Sequence, residues 1–545
     1  MGRYLALLGA LLGGLLLAWF ATRTPTPRGA DAPGAAFSAE RAFEDVQAIA
    51  RRPHPTGSAE NARVRDYLVA RMRSLGLEVR VAPAVGRPSS YYAERVGPQL
   101  AVNNVVGVLP GRDRAAPALA VMAHYDSVPQ GPGAGDDAAG VAAALEIARA
   151  LKAGPQPARD VVFLITDGEE MGLVGAMSFF PSDRRPRLGP ADPLSRRIGA
   201  VLNMEARGAG GRVHMFETGP GNARMVAVLG AHARNPTANS LAVFIYENLM
   251  RNATDFTVTR ALCLPGLNYA FVGRGVHYHE PTDTPENLDR GSLQHMGDQV
   301  LPVARALASA RTLPAAAPNA VYSDVLGLKL LMYPAWAGWL VLAAAALLAV
   351  SACRRPPRWR NVLVGVGAAV ALLLLCAGAL RLLMMGATSL AEPQAFYSGF
   401  AIYEALMALA CLIVSLLVLA LAARRRSVPS VWLGFLLVGL LLTAVLQASA
   451  PTTAHTAAWP TLLACAAAAV AAAWPAGRWS RIALVLIGAV ALGQVGSWAH
   501  AVAVAVGGWA PEPLALFALL AVLPLVPLLA QGPRSAVDRL EESHG

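Results

Sequence analysis

His124-Tyr125-Asp126-Ser127, Gly135-Asp136-Asp137-Ala138-Ala139-Gly140 and Thr166-Asp167-Gly168-Glu169-Glu170 decide the reading of this chain. A histidine, a paired aspartate and a paired glutamate fall within one short stretch, and the first and third motifs each follow an apolar run. Leu119 to Ala123 reads as a buried strand that delivers His124 at its carboxyl end. Val161 to Ile165 reads as a second strand, delivering Glu169 and Glu170. In open α/β sheets ligands bind in the crevice outside the carboxyl ends of the strands, so these side chains should converge. Imidazole mixed with hard carboxylate donors suits a catalytic zinc site.

Two further segments extend the set. Val201-Leu202-Asn203-Met204-Glu205 closes another apolar strand with a carboxylate, and Tyr278-His279-Glu280-Pro281-Thr282-Asp283-Thr284 adds a second histidine after the apolar run Leu267 to Val272. Two histidines, a bridging aspartate and two outer carboxylates are what a pair of zinc ions about 3.5–4 Å apart needs. One carboxylate is left over to act as a base.

In their order and spacing these segments resemble the di-zinc aminopeptidase family (metallopeptidase family twenty-eight, the bacterial leucyl-aminopeptidase type). The resemblance covers roughly residues 38–310 and includes Arg52 to Ser58 and Asn203 to Gly208. It implies a zinc exopeptidase fold, an α/β domain whose mainly parallel mixed sheet is covered by helices, acting on peptides with two Zn²⁺ per chain. Carried over by position, His124 and Glu170 would hold one zinc, Glu205 and His279 the other, and Asp136 would bridge. Glu169 would be the general base and Asp126 would orient His124. Many members have aspartate where this chain has Glu205. The family's Asp-Asp peptide bond, here Asp136–Asp137, is typically cis, with Asp137 supporting the loop. Asp255 resembles a family position near the site. Asp167 and Asp283 read as supporting or turn residues, and Arg207 as either a contact for a substrate carboxylate or half of a structural ion pair. His54, His214 and His232 belong to no motif and read as structural or solvent-facing.

Composition divides the 545 residues sharply. Up to about residue 325, charge and apolar runs alternate as in a globular domain. Beyond it alanine, leucine and valine dominate, and the mean hydropathy of +0.44 averages these unlike halves. Residues 1–21 read as a retained signal anchor, 22–37 as a flexible linker rich in Pro, Thr and Gly, and 38–315 as the peptidase domain. Residues 326–532 read as a seven-helix membrane domain and 533–545 as a cytoplasmic tail. The seven later apolar stretches, near 331–353, 361–383, 397–422, 430–449, 458–476, 482–505 and 513–531, each approach the ~20 residues that span hydrocarbon. The endoplasmic-reticulum-type and vacuolar-type membrane members of the family are the most similar in carrying such a tail.

Arginine-rich loops at 354–360, 424–426 and 478–481 alternate with nearly uncharged ones, which places them in the cytoplasm by the positive-inside rule. Eight spans then put both termini inside and the domain carrying His124 outside, on the periplasmic or lumenal face. Much of the net charge of +11 is therefore topological and argues for no nucleic-acid partner. Of five cysteines only Cys263 precedes the membrane half, so the outer domain holds no internal disulfide. Glu404 is an acidic residue deep within a span, expected to pair with Tyr403 or Ser398; His455 and His500, near span ends, call for no special role. Asn252-Ala253-Thr254 fits the glycosylation pattern.

Strands are predicted at 77–82, 102–109, 118–123, 160–166, 198–204, 212–217, 242–246 and 267–272, and helices at 138–151, 222–233 and 291–310. A further helix has Ser58 as its N-cap and Gly76 just past its end. Three alternatives stand beside the di-zinc aminopeptidase: a metal-free receptor or chaperone subunit on the same fold, a transporter or scaffold working through its spans, and a single-zinc glutaminyl cyclase.

Overall fold

The computed structural model describes residues 2–181, 188–250, 252–354, 356–390, 399–424, 426–474, 477–506 and 510–530. The expected cytoplasmic tail lies outside them. The chain forms two compact units, one made of Met1–Thr22 with Tyr333–Gly545, the other of Arg23–Met332.

Helix α1 (Gly2–Thr22) belongs to the first unit. Among the described residues, the second is built on a seven-stranded sheet: β1 (Glu78–Gly86), β2 (Leu100–Leu109), β3 (Ala118–His124), β4 (Val161–Thr166), β5 (Ile198–Ala206), β6 (Gly210–Thr218) and β7 (Gly266–Gly273). Their order is β1-β2-β4-β3-β5-β7-β6. The inner four, β4, β3, β5 and β7, run parallel, while β1, β2 and β6 join antiparallel at the edges. Around the sheet lie α2 (Ala39–Ile49), α3 (Ala59–Ser74), α4 (Ser90–Val96), α5 (Gly140–Lys152), α6 (Val174–Phe179), α7 (Ala223–His232), α8 (Ser240–Asn248), α9 (Asp255–Ala261) and α10 (Arg290–Ser309).

The strand runs are continuously apolar because both faces are covered. Leu119 and Val121 share one core with Phe43, Leu68, Leu145 and Val300. Ala120 and Met122 point the other way, into a second core with Phe179, Phe180 and Phe256. Helix α3 begins where its cap was read: the Ser58 hydroxyl accepts from the Asn61 amide at 3.0 Å, and Gly76 follows its end at φ +75°.

Two expectations are corrected here. Residues 242–246, whose aromatic and β-branched content favours a strand, lie inside α8. Ser240, Val243 and Tyr246 are buried at a spacing of three, and the Asn239 side chain accepts from the Ala242 amide at 2.7 Å. Tertiary burial on a helical stripe and a good cap outweigh β propensity there. Of residues 22–37, expected to be a flexible linker, Thr22 ends α1 and those from Arg23 on pack within the second unit. The Arg28 guanidinium donates to Asp298 at 2.8 Å, the Arg28 amide donates to Gln294 at 2.9 Å, and Phe37 is buried. Prolines lower the entropy lost on ordering such a segment, and α10 supplies its polar partners.

Among the described residues, the first unit contains seven helices long and apolar enough to cross a membrane: Tyr4–Thr22, Ala335–Ala352, Trp359–Ala387, Phe400–Ala423, Val428–Ser449, His455–Ala473 and Arg478–Val506. The stretch expected to span near 331–353 starts at Ala335, since Lys329–Pro334 is a strand. The eighth expected span, 513–531, is a shorter apolar segment, Leu514–Leu528. It breaks between Val522 and Val526, where Pro524 withholds a backbone donor, and Pro527 falls in the first turn of the helix that follows. Helix α1 packs on the Arg478–Val506 helix through small residues, with Gly13 against Ala489 and Ala10 in a cluster with Leu484 and Leu528. Glu404 accepts from His500 Nδ1 at 2.7 Å, a partner the sequence did not point to; Ser398 lies outside the described residues.

Candidate metal centre

The parallel inner strands end on the same side, and four of their connections carry the candidate residues. His124 closes β3, Glu169 and Glu170 follow β4, Glu205 lies near the end of β5, and His279 follows β7. Asp136 sits in the kinked segment Ala134–Ala139 that leads into α5, where Asp136 (φ −110°, ψ 91°) and Asp137 (φ −132°, ψ 36°) have non-helical backbone. The glycines around it are there for space. A Cβ at Gly135 would fall 2.3 Å from the Gly208 carbonyl oxygen, and one at Gly140 would fall 2.4 Å from an Asp137 carboxylate oxygen. The Asp136–Asp137 peptide is cis. His279 has a left-handed backbone, φ +60°, a conformation histidine adopts more readily than most residues.

All five expected ligands meet. His124 Nε2 lies 3.3 Å from Asp136 Oδ1 and 3.6 Å from Glu205 Oε2. His279 Nε2 lies 3.1 Å from Asp136 Oδ2 and 3.2 Å from Glu170 Oε2. Asp136 thus turns a different oxygen to each imidazole. Two donors about 2.0–2.1 Å from one tetrahedral zinc are themselves about 3.3–3.4 Å apart, which is the spacing of these contacts. Within 4.8 Å, His124 also groups with Asp136 and Glu170, and with Asp137 and Glu205. Asp137 already accepts from the amides of His124 and Gly140. By distance His124 lies nearest Asp136 and Glu205, and His279 nearest Asp136 and Glu170, whereas the resemblance pairs His124 with Glu170 and Glu205 with His279.

The surrounding residues hold these donors in place. His124 Nδ1 lies 3.0 Å from the Asp126 carbonyl oxygen, which can only accept, so Nδ1 carries the proton and Nε2 presents its lone pair to the centre. The Asp126 carboxylate takes the backbone amides of Glu169 and Glu170 at 3.0 and 3.2 Å. It anchors the glutamate loop as well as lying 3.5 Å from His124 Nδ1, a double task the spacing did not reveal. Asp283 accepts from the amides of Gly135 and Asp136, which fixes the aspartate turn. Asp167 accepts from Thr56, Asn61 and the Asn103 amide, which explains the Arg52 to Ser58 segment as a brace for the same loop. His54 is buried against that brace, whereas His232 is exposed.

Electrostatically the centre is an excess of buried acid. Burial pushes Glu169 and Glu205 well above the usual carboxylate range, and it lifts Glu170 to about 7, with Asp136 adding to the effect. For His279 burial works against the charged form, but hydrogen bonding to Asp136 and Glu170 outweighs it and takes the ring up to about 10. Glu170 Oε1 is buried with no hydrogen-bond partner, and so is Asp255 Oδ1, although Thr166 Oγ1 donates to the other Asp255 oxygen. Buried anions with free lone pairs are costly unless cations share the site, so the donor set fits metal ions. Sequence reading gave Asp255 no role and missed Tyr278, whose ring stacks on His279 at 3.9 Å. Burial, and then Asp136, Glu170 and Glu169, keep its hydroxyl protonated.

The fold is α/β, a mixed sheet covered by helices, and its centre is a cluster of histidines and carboxylates suited to metal ions. Residues 104–304 match the model of Peptidase family M28, the same family that the motifs resemble, and the chain also carries helices long and apolar enough to cross a membrane. It is 30% identical over 357 residues to endoplasmic reticulum metallopeptidase 1 of Mus musculus, a match covering 61% of this chain and 39% of that protein. It is 34% identical over 259 residues to a vacuolar membrane protease of Candida dubliniensis, covering 46% of this chain and 26% of the relative. The chain thus spans well under half the length of these relatives. Among solved structures, the aminopeptidase from Aneurinibacillus sp. strain AM-1 superposes with a TM-score of 0.40 at 16% identity, over 52% of this chain and 98% of that one.

Proposed function

We propose that this protein is a membrane-anchored di-zinc aminopeptidase that removes amino-terminal residues from peptides outside the cytoplasm. One observation carries the reading: Asp136 presents opposite carboxylate oxygens to two separate imidazole–carboxylate pairs. In it His124, Glu205 and Asp136 hold one ion, and His279, Glu170 and Asp136 the other. When bound, the ions polarise the scissile carbonyl and acidify water. Glu169 lies beside the ligands without completing either set; it takes a proton from the attacking water and passes it to the leaving amine. The Tyr278 hydroxyl, kept neutral, offers a hydrogen-bond donor at the edge of the site. The acidic centre favours the ammonium group of a peptide's amino end over a carboxylate, which supports trimming from that end.

The experiment is a peptide-library digest by the full chain in detergent, read by mass spectrometry, with metal analysis of the same sample. Stepwise loss of single amino-terminal residues, abolished by a chelator, is expected alongside about two zinc ions per chain. Carboxyl-end or internal cleavage would refute the direction of trimming. One zinc with pyroglutamate formation and no hydrolysis would instead support a cyclase.

For the membrane unit we propose eight spans, counting the shorter Leu514–Leu528 segment, with the arginine loops cytoplasmic. Fusions of a reporter active only outside the cytoplasm should be active after residue 320 and silent near Arg354, Arg424 and Arg481. A signal at any of those three loops would overturn the map.

A further inference from the structure

Three polar side chains form a row across otherwise apolar strands. Asn203 on β5 lies opposite Asn268 on β7, and Asn268 opposite Glu217 on β6. Asn203 and Asn268 are fully buried and Glu217 is 2% exposed. Such a row is tolerated in a core when its donors and acceptors are largely satisfied, and here the Asn203 and Asn268 nitrogens are, while Asn203 Oδ1 is buried without a hydrogen-bond partner. Asn203 Nδ2 donates to Glu205 Oε1 at 3.1 Å and to Asn268 Oδ1 at 3.0 Å. Asn268 Nδ2 donates to Glu217 Oε2 at 3.0 Å and to Thr254 Oγ1 at 2.9 Å. Each amide nitrogen has two hydrogens, and both are used in each case.

The direction of the row is decided at its far end. An ionised carboxylate only accepts, so Glu217 demands the nitrogen of Asn268. That turns Asn268 Oδ1 toward Asn203, whose nitrogen must face it and keeps its second hydrogen for Glu205. A flipped Asn203 would set its carbonyl oxygen against both the Glu205 carboxylate and Asn268 Oδ1, a repulsive arrangement. Arg260 supplies countercharge, with Nε 3.8 Å from Glu217 Oε1 and Nη2 2.9 Å from Glu247. Glu205 is left with Oε1 tied to the sheet and Oε2 facing His124.

We infer that Glu217 and Asn268 are positioning residues for Glu205, fixing through Asn203 the orientation in which it serves the His124 half of the metal centre. The inference rests on the di-zinc reading above. It explains how a long, flexible glutamate is held still enough to act as a ligand, since outer partners of this kind orient metal ligands.

The test is zinc competition with a fluorescent chelator, using the full chain in detergent. Glu217→Met removes the terminal acceptor at similar volume, and one of two zinc affinities should fall about 10–100-fold while the other holds. Glu217→Gln, whose amide oxygen can still accept from Asn268, should restore it. Asn268→Ser, too short to join Asn203 to Glu217, provides a second variant with the same expected selective loss. In a Glu205→Asp background Glu217→Met should add little, because the shorter arm no longer reaches Asn203. Wild-type protein with no zinc would sink the metal centre and the inference with it. Wild-type protein holding two zincs, with both affinities unchanged or equally reduced in Glu217→Met and Asn268→Ser, would overturn the inference alone.

Discussion

Asp136→Ala is expected to cost both metal ions and about 10³-fold or more in turnover. The magnitude follows from losing several kcal/mol of Lewis-acid stabilisation, at 1.36 kcal/mol for each factor of ten. No other described residue touches both His124 and His279, so no neighbour can take over the bridge. Asp136→Asn makes the argument sharper. Its amide keeps the shape but replaces one acceptor oxygen with a donor, so only one side can keep an ion, and content should drop to about one per chain. Metal analysis after gel filtration, with turnover on the same fractions, reads both variants. Two retained ions in Asp136→Ala would rule out a bridging role.

Glu169→Gln should behave in the opposite way, keeping both ions while losing about 10²–10⁴-fold in turnover, the usual contribution of general-base catalysis. The separation is chemical. Glu170, the next residue, approaches His279 at ligand spacing, whereas the backbone of Glu169 is held by Asp126 and its side chain completes neither set. Near wild-type turnover would exclude Glu169 as the base; loss of an ion would mean that it is a ligand. Because Glu169 and Glu170 hang from the same carboxylate, Asp126→Ala should disturb base and ligand together, and it serves as a control for loop displacement.

The fold was legible where local pattern and long-range burial agree. Ala118 to His124 and Val161 to Thr166 are continuous apolar runs because both faces of an inner parallel strand are covered, and their ends announce the site. It was misread at Ala242 to Tyr246, where the local preference for a strand is real but the buried neighbours of Ser240, Val243 and Tyr246 are set by distant segments. The Arg23 to Phe37 stretch was misread for the same reason: nothing within it signals Asp298 or Gln294, far along the chain on α10. Asn268 left a faint sign, a polar residue inside the apolar run Leu267 to Val272, but its partners lie on two other strands.

The sequence by itself determined which residues can bind metal, that they gather at the carboxyl ends of parallel strands, and that long apolar helices follow. Those properties depend on donor chemistry, on the period of an apolar run and on the thickness of hydrocarbon, all readable locally. Only the tertiary structure decided that His124 faces Glu205 and His279 faces Glu170, that Asp126 anchors the loop of the base, and that a row from Glu217 through Asn268 and Asn203 ends on a ligand. Each of these depends on the lateral strand order β4-β3-β5-β7-β6, which departs from chain order and brings together groups that no sequence spacing relates.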